Sequence, residues 1–255
     1  MIYYFSGEGN TAYAAHTIST NIGEDRHFIP DTNPVFEKMD GLSLGFMFPI
    51  YSWGVPPIVR DFIAGLSETF IHEVKKNRIP VWMVVTCGDE IGDTTEMMAE
   101  ILENRGLKLS AAWSIIMPNT YVLLPGFNVD KESLEARKLD KSIPRLREIS
   151  GKIKEGIWEV DVKRGSFPWL KTKICYPLFV KFAMKPSKWH WNAECIGCGR
   201  CARQCPVDNI EMKGGHPRWG INCVGCLGCY HICPVHAVGY GNRTSNKGQY
   251  ICPLR

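Results

Sequence analysis

The chain has no apolar run suited to crossing a membrane. Residues 41–59 carry no charge, but Gly45, Pro49, Gly54, Pro56 and Pro57 interrupt them, and such breaks in lipid would strand backbone polar groups. Residues 1–5 lack the basic region of a secretory leader and run straight into Ser6-Gly7, so a first strand and a cytoplasmic location are expected. The glycine-rich loop that follows lacks the Gly-Lys-Ser/Thr ending of a Walker loop and the third glycine of G-x-G-x-x-G. Neither a nucleoside-triphosphate site nor a dinucleotide site is therefore expected.

Charge is unevenly spread. Residues 1–150 hold 14 Lys and Arg against 20 Asp and Glu, net −6, whereas 151–255 hold 16 against 6, net +10. Two units with different jobs are expected. A basic half can meet nucleic acid, an anionic membrane or an acidic partner. Anionic groups bound within it, with ordinary solvation, would offset several of these charges. An acidic partner protein stays open, and nucleic acid is not expected.

Eight of the eleven cysteines fall in two runs, Cys195, Cys198, Cys201, Cys205-Pro206 and Cys223, Cys226, Cys229, Cys233-Pro234. Each is a complete C-x₂-C-x₂-C-x₃-C-P, the two-cluster pattern of bacterial ferredoxins, in which the fourth cysteine ligates the other cluster. Cysteine clusters of this kind read as metal ligands rather than as a disulfide framework. One [4Fe–4S] cluster is expected on Cys195, Cys198, Cys201 and Cys233, the second on Cys205, Cys223, Cys226 and Cys229. Gly197, Gly199, Gly225 and Gly228 let the backbone close on them. Zinc would need only four ligands per site and no doubled Cys-Pro motif. Cys175 and Cys252 read as small buried apolar residues, and His216, beside the Gly214-Gly215 turn, as a solvated residue.

Residues 1–157 alternate short apolar runs with amphipathic ones. Strands are expected at 2–5, 26–29, 42–48, 80–86 and 107–117, with helices at 11–21, 57–66, 94–105 and 131–157, the last kinked or split by Pro144. This is an α/β pattern, a doubly wound parallel five-stranded sheet of order 2-1-3-4-5, whose ligands lie beyond the carboxyl ends of the strands. Residues 158–188 read as a basic, aromatic linker with a helix near 169–184 that docks the two domains together; lying on an anionic membrane is the alternative, for which its apolar face is short. A small α+β domain is expected over 189–255.

Three loops of the sheet draw attention by position. After the first strand, Ser6, Gly7, Glu8, Gly9, Asn10 and Thr11 lead into a helix, where backbone N–H groups can converge on a phosphate. Rich in hydroxyls and without a lysine, the loop suits the monophosphate of FMN. After the third strand, Pro49, Ile50, Tyr51, Ser52, Trp53 and Gly54 put two aromatics where a flavin ring would lie. After the fourth, Thr86, Cys87, Gly88 and Asp89 offer backbone amides at the ring's other edge, with Cys87 either near the flavin or an inert buried thiol.

The first loop resembles that of flavodoxins, and together with the C-terminal double cysteine motif the chain resembles the EFR1 family of fused flavodoxin–ferredoxin proteins. The resemblance implies FMN with its phosphate on residues 6–11. Glu8 stands where such loops usually carry Thr, and a carboxylate repels a phosphate unless it points to solvent. The implied function is electron transfer between FMN and two [4Fe–4S] clusters, coupling one- and two-electron steps. A flavin-dependent reductase of a small organic acceptor, and an assembly module with an empty flavodoxin-like domain, are the alternatives.

Overall fold

Side-chain alternation decides how the sheet is buried. Tyr3, Phe5, Phe46, Phe48, Met83 and Val85 pack into one core, while Ile2, Met47, Trp82, Val84, Trp113 and Ile115 pack into another. Strands buried on both faces belong to parallel sheets covered by helices. The computed structural model describes residues 1–33 and 41–254. In it β1 (Ile2–Tyr4), α1 (Asn10–Ile22), β2 (Arg26–Phe28), β3 (Leu44–Pro49), α2 (Pro57–Ala64), α3 (Glu68–Lys76), β4 (Val81–Cys87), α4 (Thr94–Glu103), β5 (Leu109–Ile116), α5 (Glu132–Lys154) and β6 (Val160–Asp161) follow in turn. The strands form one parallel sheet of order β2-β1-β3-β4-β5-β6. Helices α1 and α5 cover the Trp82 face, and α2, α3 and α4 the Phe46 face. Gly45 is fixed by this packing, since a Cβ there would overlap the Trp82 ring.

The flavodoxin-like order expected from sequence is present, with one strand more. β6 lies in the segment expected to be a linker and has two residues, one of them the exposed Val160, so it left no apolar pattern to read. Polar contacts hold it: Arg145 donates to the Asp161 carboxylate at 2.7 Å and to its carbonyl at 2.9 Å, and the Lys163 N–H donates to Ser114 Oγ at 2.8 Å. Helix α3 was likewise not anticipated, although Ser67 caps it by accepting from the Phe70 N–H. Helix α5 runs as one 23-residue element through Pro144. The proline removes one intrahelical bond, and buried Leu139, Leu146, Ile149 and Ile153 hold the two sides in line.

Beyond the sheet, α6 (Pro168–Leu170), a π-helical stretch Lys171–Cys175 and α7 (Tyr176–Phe182) form one helical segment. The C-terminal unit contains β7 (Trp189–Trp191), α8 (Arg200–Arg203), β8 (Ile210–Lys213), β9 (His216–Trp219), α9 (Gly228–His231) and β10 (Val238–Tyr240). β7 pairs with β10 and β8 with β9, both antiparallel. His216 is stacked on Trp191 at 3.8 Å between ring centres rather than solvated, because the Gly214-Gly215 hairpin folds it onto β7. Two cross-connections bind the units. Val122 and Leu123, after β5, enter the C-terminal core, and Tyr250 and Cys252 return to the core beneath α1.

Candidate functional site

The cysteine runs fold as near repeats. Gly197 and Gly225 take φ 67° and 68°, and Asp208 and His236 take 48° and 51° at matching positions. Gly199 at φ 68° is matched by Leu227 at 62°, not by Gly228; the Gly228 backbone N–H bonds the Cys226 sulfur. The structure brings Cys195, Cys198, Cys201 and Cys233 around one cavity and Cys205, Cys223, Cys226 and Cys229 around a second. Each set takes three thiols from one run and the last from the other. Backbone N–H groups point at the sulfurs, Asn209 to Cys205 and Ala237 to Cys233 at 3.2 Å each, and Gly225 to Cys223 at 3.4 Å. Burial pushes the thiols of Cys201, Cys223, Cys226 and Cys229 upward, so thiolates persist there only against metal cations. Thiols spaced around a cavity, with amide donors behind them, fit a [4Fe–4S] cluster in each set.

The second set meets the sheet at the loop after β1. A Cβ on Gly7 would lie 2.7 Å from the Cys226 carbonyl oxygen, and Gln204 Nε2 donates to the Gly7 carbonyl at 3.0 Å. Gly228 serves this contact, for a Cβ there would lie 3.3 Å from the Gly7 carbonyl oxygen. His231 accepts from the Tyr250 N–H at Nδ1 (3.1 Å), so its Nε2–H donates to the Thr120 carbonyl (2.8 Å).

Above this junction lies a cavity of about 290 Å³, close to the small end of ligand sites. Its walls are Pro49, Ile50, Tyr51, Ser52 and Trp53 after β3, Cys87, Gly88, Asp89 and Glu90 after β4, and Asn119, Thr120 and Tyr121 after β5. Glu8, Leu124, Phe127, Phe179 of α7 and Gly225, Cys226 and Leu227 complete them. The Tyr51 and Tyr121 hydroxyls are buried without a hydrogen-bond partner among the described residues. Two orphan hydroxyls in an aromatic cavity mark a place for a flat ligand carrying polar edge atoms, and an isoalloxazine ring fits that description. Cys87 is held away from chemistry: burial pushes its thiol up to about 12. Gly54 is outside the cavity, packed beneath the Tyr176 ring.

The phosphate end fits less well. A smaller cavity of about 70 Å³ is lined by Ser6, Gly7, Glu8, Asn10, Thr11, Thr86, Cys87, Gly88 and the Pro118–Tyr121 turn (118–121), without a lysine or arginine. Gly9 is not in this lining; at φ 106° it caps α1. Asn10 donates to the Pro118 carbonyl at 3.0 Å and accepts from the Tyr250 hydroxyl at 2.6 Å, while Thr11 and Thr86 share a 2.8 Å bond. Glu8 is only 8% exposed. Its carboxyl accepts from Thr120 and from its own N–H, and burial pushes it up to about 8. The turn expected to hold a phosphate thus already holds a carboxyl, which a phosphate would have to displace or neutralise.

The helical segment fastens the ring loop. Ser52 and Trp53 are left-handed at φ 45° and 62°. Thr172 Oγ1 donates to the Trp53 carbonyl at 2.7 Å and accepts from the Asp93 N–H at 2.8 Å, and the Tyr176 hydroxyl donates to the Val55 carbonyl at 2.6 Å. Trp53 Nε1 donates to Glu90 at 3.2 Å, and Lys171 pairs with Glu90. The sequence did not single out Phe127, Phe179 or the Gly225–Leu227 wall (225–227), and only its position at the carboxyl end of a strand marks the loop after β5.

Residues 194–238 match the family of the 4Fe-4S dicluster domain. No curated protein matches the chain. Among solved structures it is similar to rubredoxin oxygen:oxidoreductase from Desulfovibrio gigas, with 14% identity and a TM-score of 0.35 over 60% of this chain and 36% of that one. It is also similar to a metal-soaked flavodiiron core from Synechocystis sp. PCC6803, with 13% identity and a TM-score of 0.31 over 58% and 36%. The chain thus spans little more than a third of either, and neither likeness bears on its chemistry. The chain joins a flavodoxin-like parallel sheet to a C-terminal 4Fe-4S dicluster domain.

Proposed function

We propose that this protein is an iron–sulfur flavoprotein of electron transfer, resembling the EFR1 family, with a flavin in the Tyr51 cavity beside the second of two [4Fe–4S] clusters. One observation carries the reading. Cys226 belongs both to the wall of that cavity and to the Cys205, Cys223, Cys226 and Cys229 set, so a ligand in the cavity touches a cluster ligand. A bound flavin supplies two-electron chemistry and each cubane one-electron chemistry, so the pair converts between them.

The chain's own groups do the positioning. Gly7 lets the loop after β1 close on Cys226. Tyr51 and Tyr121 supply hydroxyls for the edge of a ring, and Phe179 and Phe127 keep water from it. The clamp from Thr172 and Tyr176 holds Trp53 in place. FMN is the flavin the family resemblance implies; the ring end supports it, and Glu8 weakens the hold on its phosphate.

A redox partner meets the first cluster set. Cys198 and its neighbours Ile196, Arg200 and Arg203 are exposed, and Arg203 is anchored to the Cys198 carbonyl at 3.1 Å. An acidic ferredoxin complements those arginines, and a cytoplasmic setting keeps all eight thiols reduced until iron is loaded. The two unpartnered hydroxyls also favour a second reading, reduction of a small organic acceptor bound in the same cavity, which turnover with such acceptors decides.

Anaerobic purification with iron, sulfide and flavin quantified together tests the proposal. About eight irons and one flavin per chain are expected. Full iron with no flavin bound or bindable would leave an assembly module instead.

A further inference from the structure

The inner face of the segment from Pro168 to Phe182 is committed to the Trp53 loop; the outer face has no partner among the described residues. Phe167, Trp169, Leu170, Ile174, Leu178 and Phe182 are 77, 60, 45, 42, 51 and 50% exposed. Leu170, Ile174, Leu178 and Phe182 recur every fourth residue and so form one row along the helix. Exposed Lys173 and Lys181 lie on the same segment, and exposed Lys185 follows just beyond its end. The ammonium groups of Lys181 and Lys185 lie 5.3 and 5.8 Å from the Phe182 ring centre.

The segment's own charge has one sign. Between Asp161 and Glu194 there is no acidic residue and there are seven Lys and Arg. The carboxylates that reach the segment from neighbouring elements are occupied, Glu90 by Lys171, Glu100 by Lys173, and Asp93 and Glu96 by Arg164. Lys181, Lys185 and Lys188 have no ion pair among the described residues. A soluble surface normally breaks up an apolar patch of this extent with mixed charges.

We propose that this face docks the protein on an anionic lipid bilayer. The apolar row, headed by Phe167 and Trp169, enters the boundary between headgroups and acyl chains, and the flanking lysines meet lipid phosphates. An in-plane helix of this kind has an apolar face with Trp, Phe and Leu and a polar face rich in lysine. Its length of roughly 22 Å is too short to span a bilayer, and no helix among the described residues is long and apolar enough to cross one. Docking here would fix the side of the Trp53 loop toward the membrane. The inference rests on the helical segment alone and stands or falls apart from the flavin.

Co-sedimentation of the full, iron-loaded chain with vesicles tests it. Wild type is expected to pellet with phosphatidylcholine vesicles containing phosphatidylglycerol, to release at high salt, and to stay largely in solution with phosphatidylcholine alone. The exposed double substitution Ile174→Glu/Leu178→Glu should abolish pelleting at unchanged iron content. Lys181→Gln/Lys185→Gln should weaken it by roughly fivefold per charge removed. Failure of wild type to bind phosphatidylglycerol vesicles, or pelleting unaffected by the double glutamate variant, overturns the proposal. So does a wild-type dimer without vesicle binding that the glutamate variant dissociates, because a second copy then covers the row.

Discussion

Gly7 and Cys226 touch backbone to backbone: a Cβ on the glycine would come within 2.7 Å of the cysteine's carbonyl oxygen. The turn expected to cradle a phosphate is therefore also the surface on which the cluster-binding unit rests. Gly7→Ala should destabilise the protein by about 1–3 kcal/mol, the usual range for overpacking. Thermal unfolding followed by circular dichroism measures it. A melting temperature equal to wild type would mean that the two units are not in contact at this turn.

Glu8 gives a pH-dependent prediction. Its carboxyl is raised from an ordinary 4.5 to about 8 by burial, so the unfolded chain ionises first. Stability present below pH 4.5 is lost progressively as pH rises toward 8. Glu8→Gln cannot ionise and should be more stable than wild type at pH 8, with the gap narrowing toward pH 5. The same variant should raise FMN affinity more than riboflavin affinity, because only FMN brings a phosphate to the Glu8 turn, while both rings share the cavity that Glu8 also borders. Denaturant titrations across pH and fluorescence titrations with both flavins read these outcomes; a stability gap independent of pH would contradict the assignment.

The exchange of outer ligands between clusters is tested by Cys233→Ser. Although residue 233 lies in the second run, it lines the cavity of Cys195, Cys198 and Cys201. The substitution should damage that first cluster and spare the one on Cys205, Cys223, Cys226 and Cys229, taking iron from about eight toward about four per chain. Cys205→Ser should do the converse. Electron paramagnetic resonance of the reduced variants separates the two signals; loss of the same cluster in both variants would refute the exchange.

Thr172→Val removes a hydroxyl that both donates to the Trp53 carbonyl and accepts from the Asp93 N–H. Its loss should cost about 1–3 kcal/mol, since the partners are buried. It should also weaken flavin binding through the left-handed Ser52-Trp53 turn. Flavin affinity unchanged at reduced stability would show that the clamp serves folding only.

The parts of the fold that were legible in sequence are those where one residue type has one cause. Alternation in Phe46-Met47-Phe48 and Trp82-Met83-Val84 reports strands buried on both faces, and the two Cys-Pro runs report cluster ligands. What was not legible depended on contacts between distant segments. β6 has two residues and is held by Arg145, more than ten positions earlier in the chain. Tyr250 reaches Asn10, and Gly225 to Leu227 close a cavity otherwise built by the sheet. The role of Gly7 shows the same limit: a glycine in a phosphate-loop pattern signals close approach, but not to what.

The account turns on electrons passing between a flavin in the Tyr51 cavity and the clusters through the Cys226 wall. Photoreduction of flavin-loaded, iron-loaded protein under anaerobic conditions with a sacrificial donor tests this most directly. Bleaching of the flavin should be followed by loss of the broad iron–sulfur absorbance without any free flavin in solution. A fully bleached flavin beside clusters that stay oxidised, although a soluble low-potential donor reduces them, would contradict it.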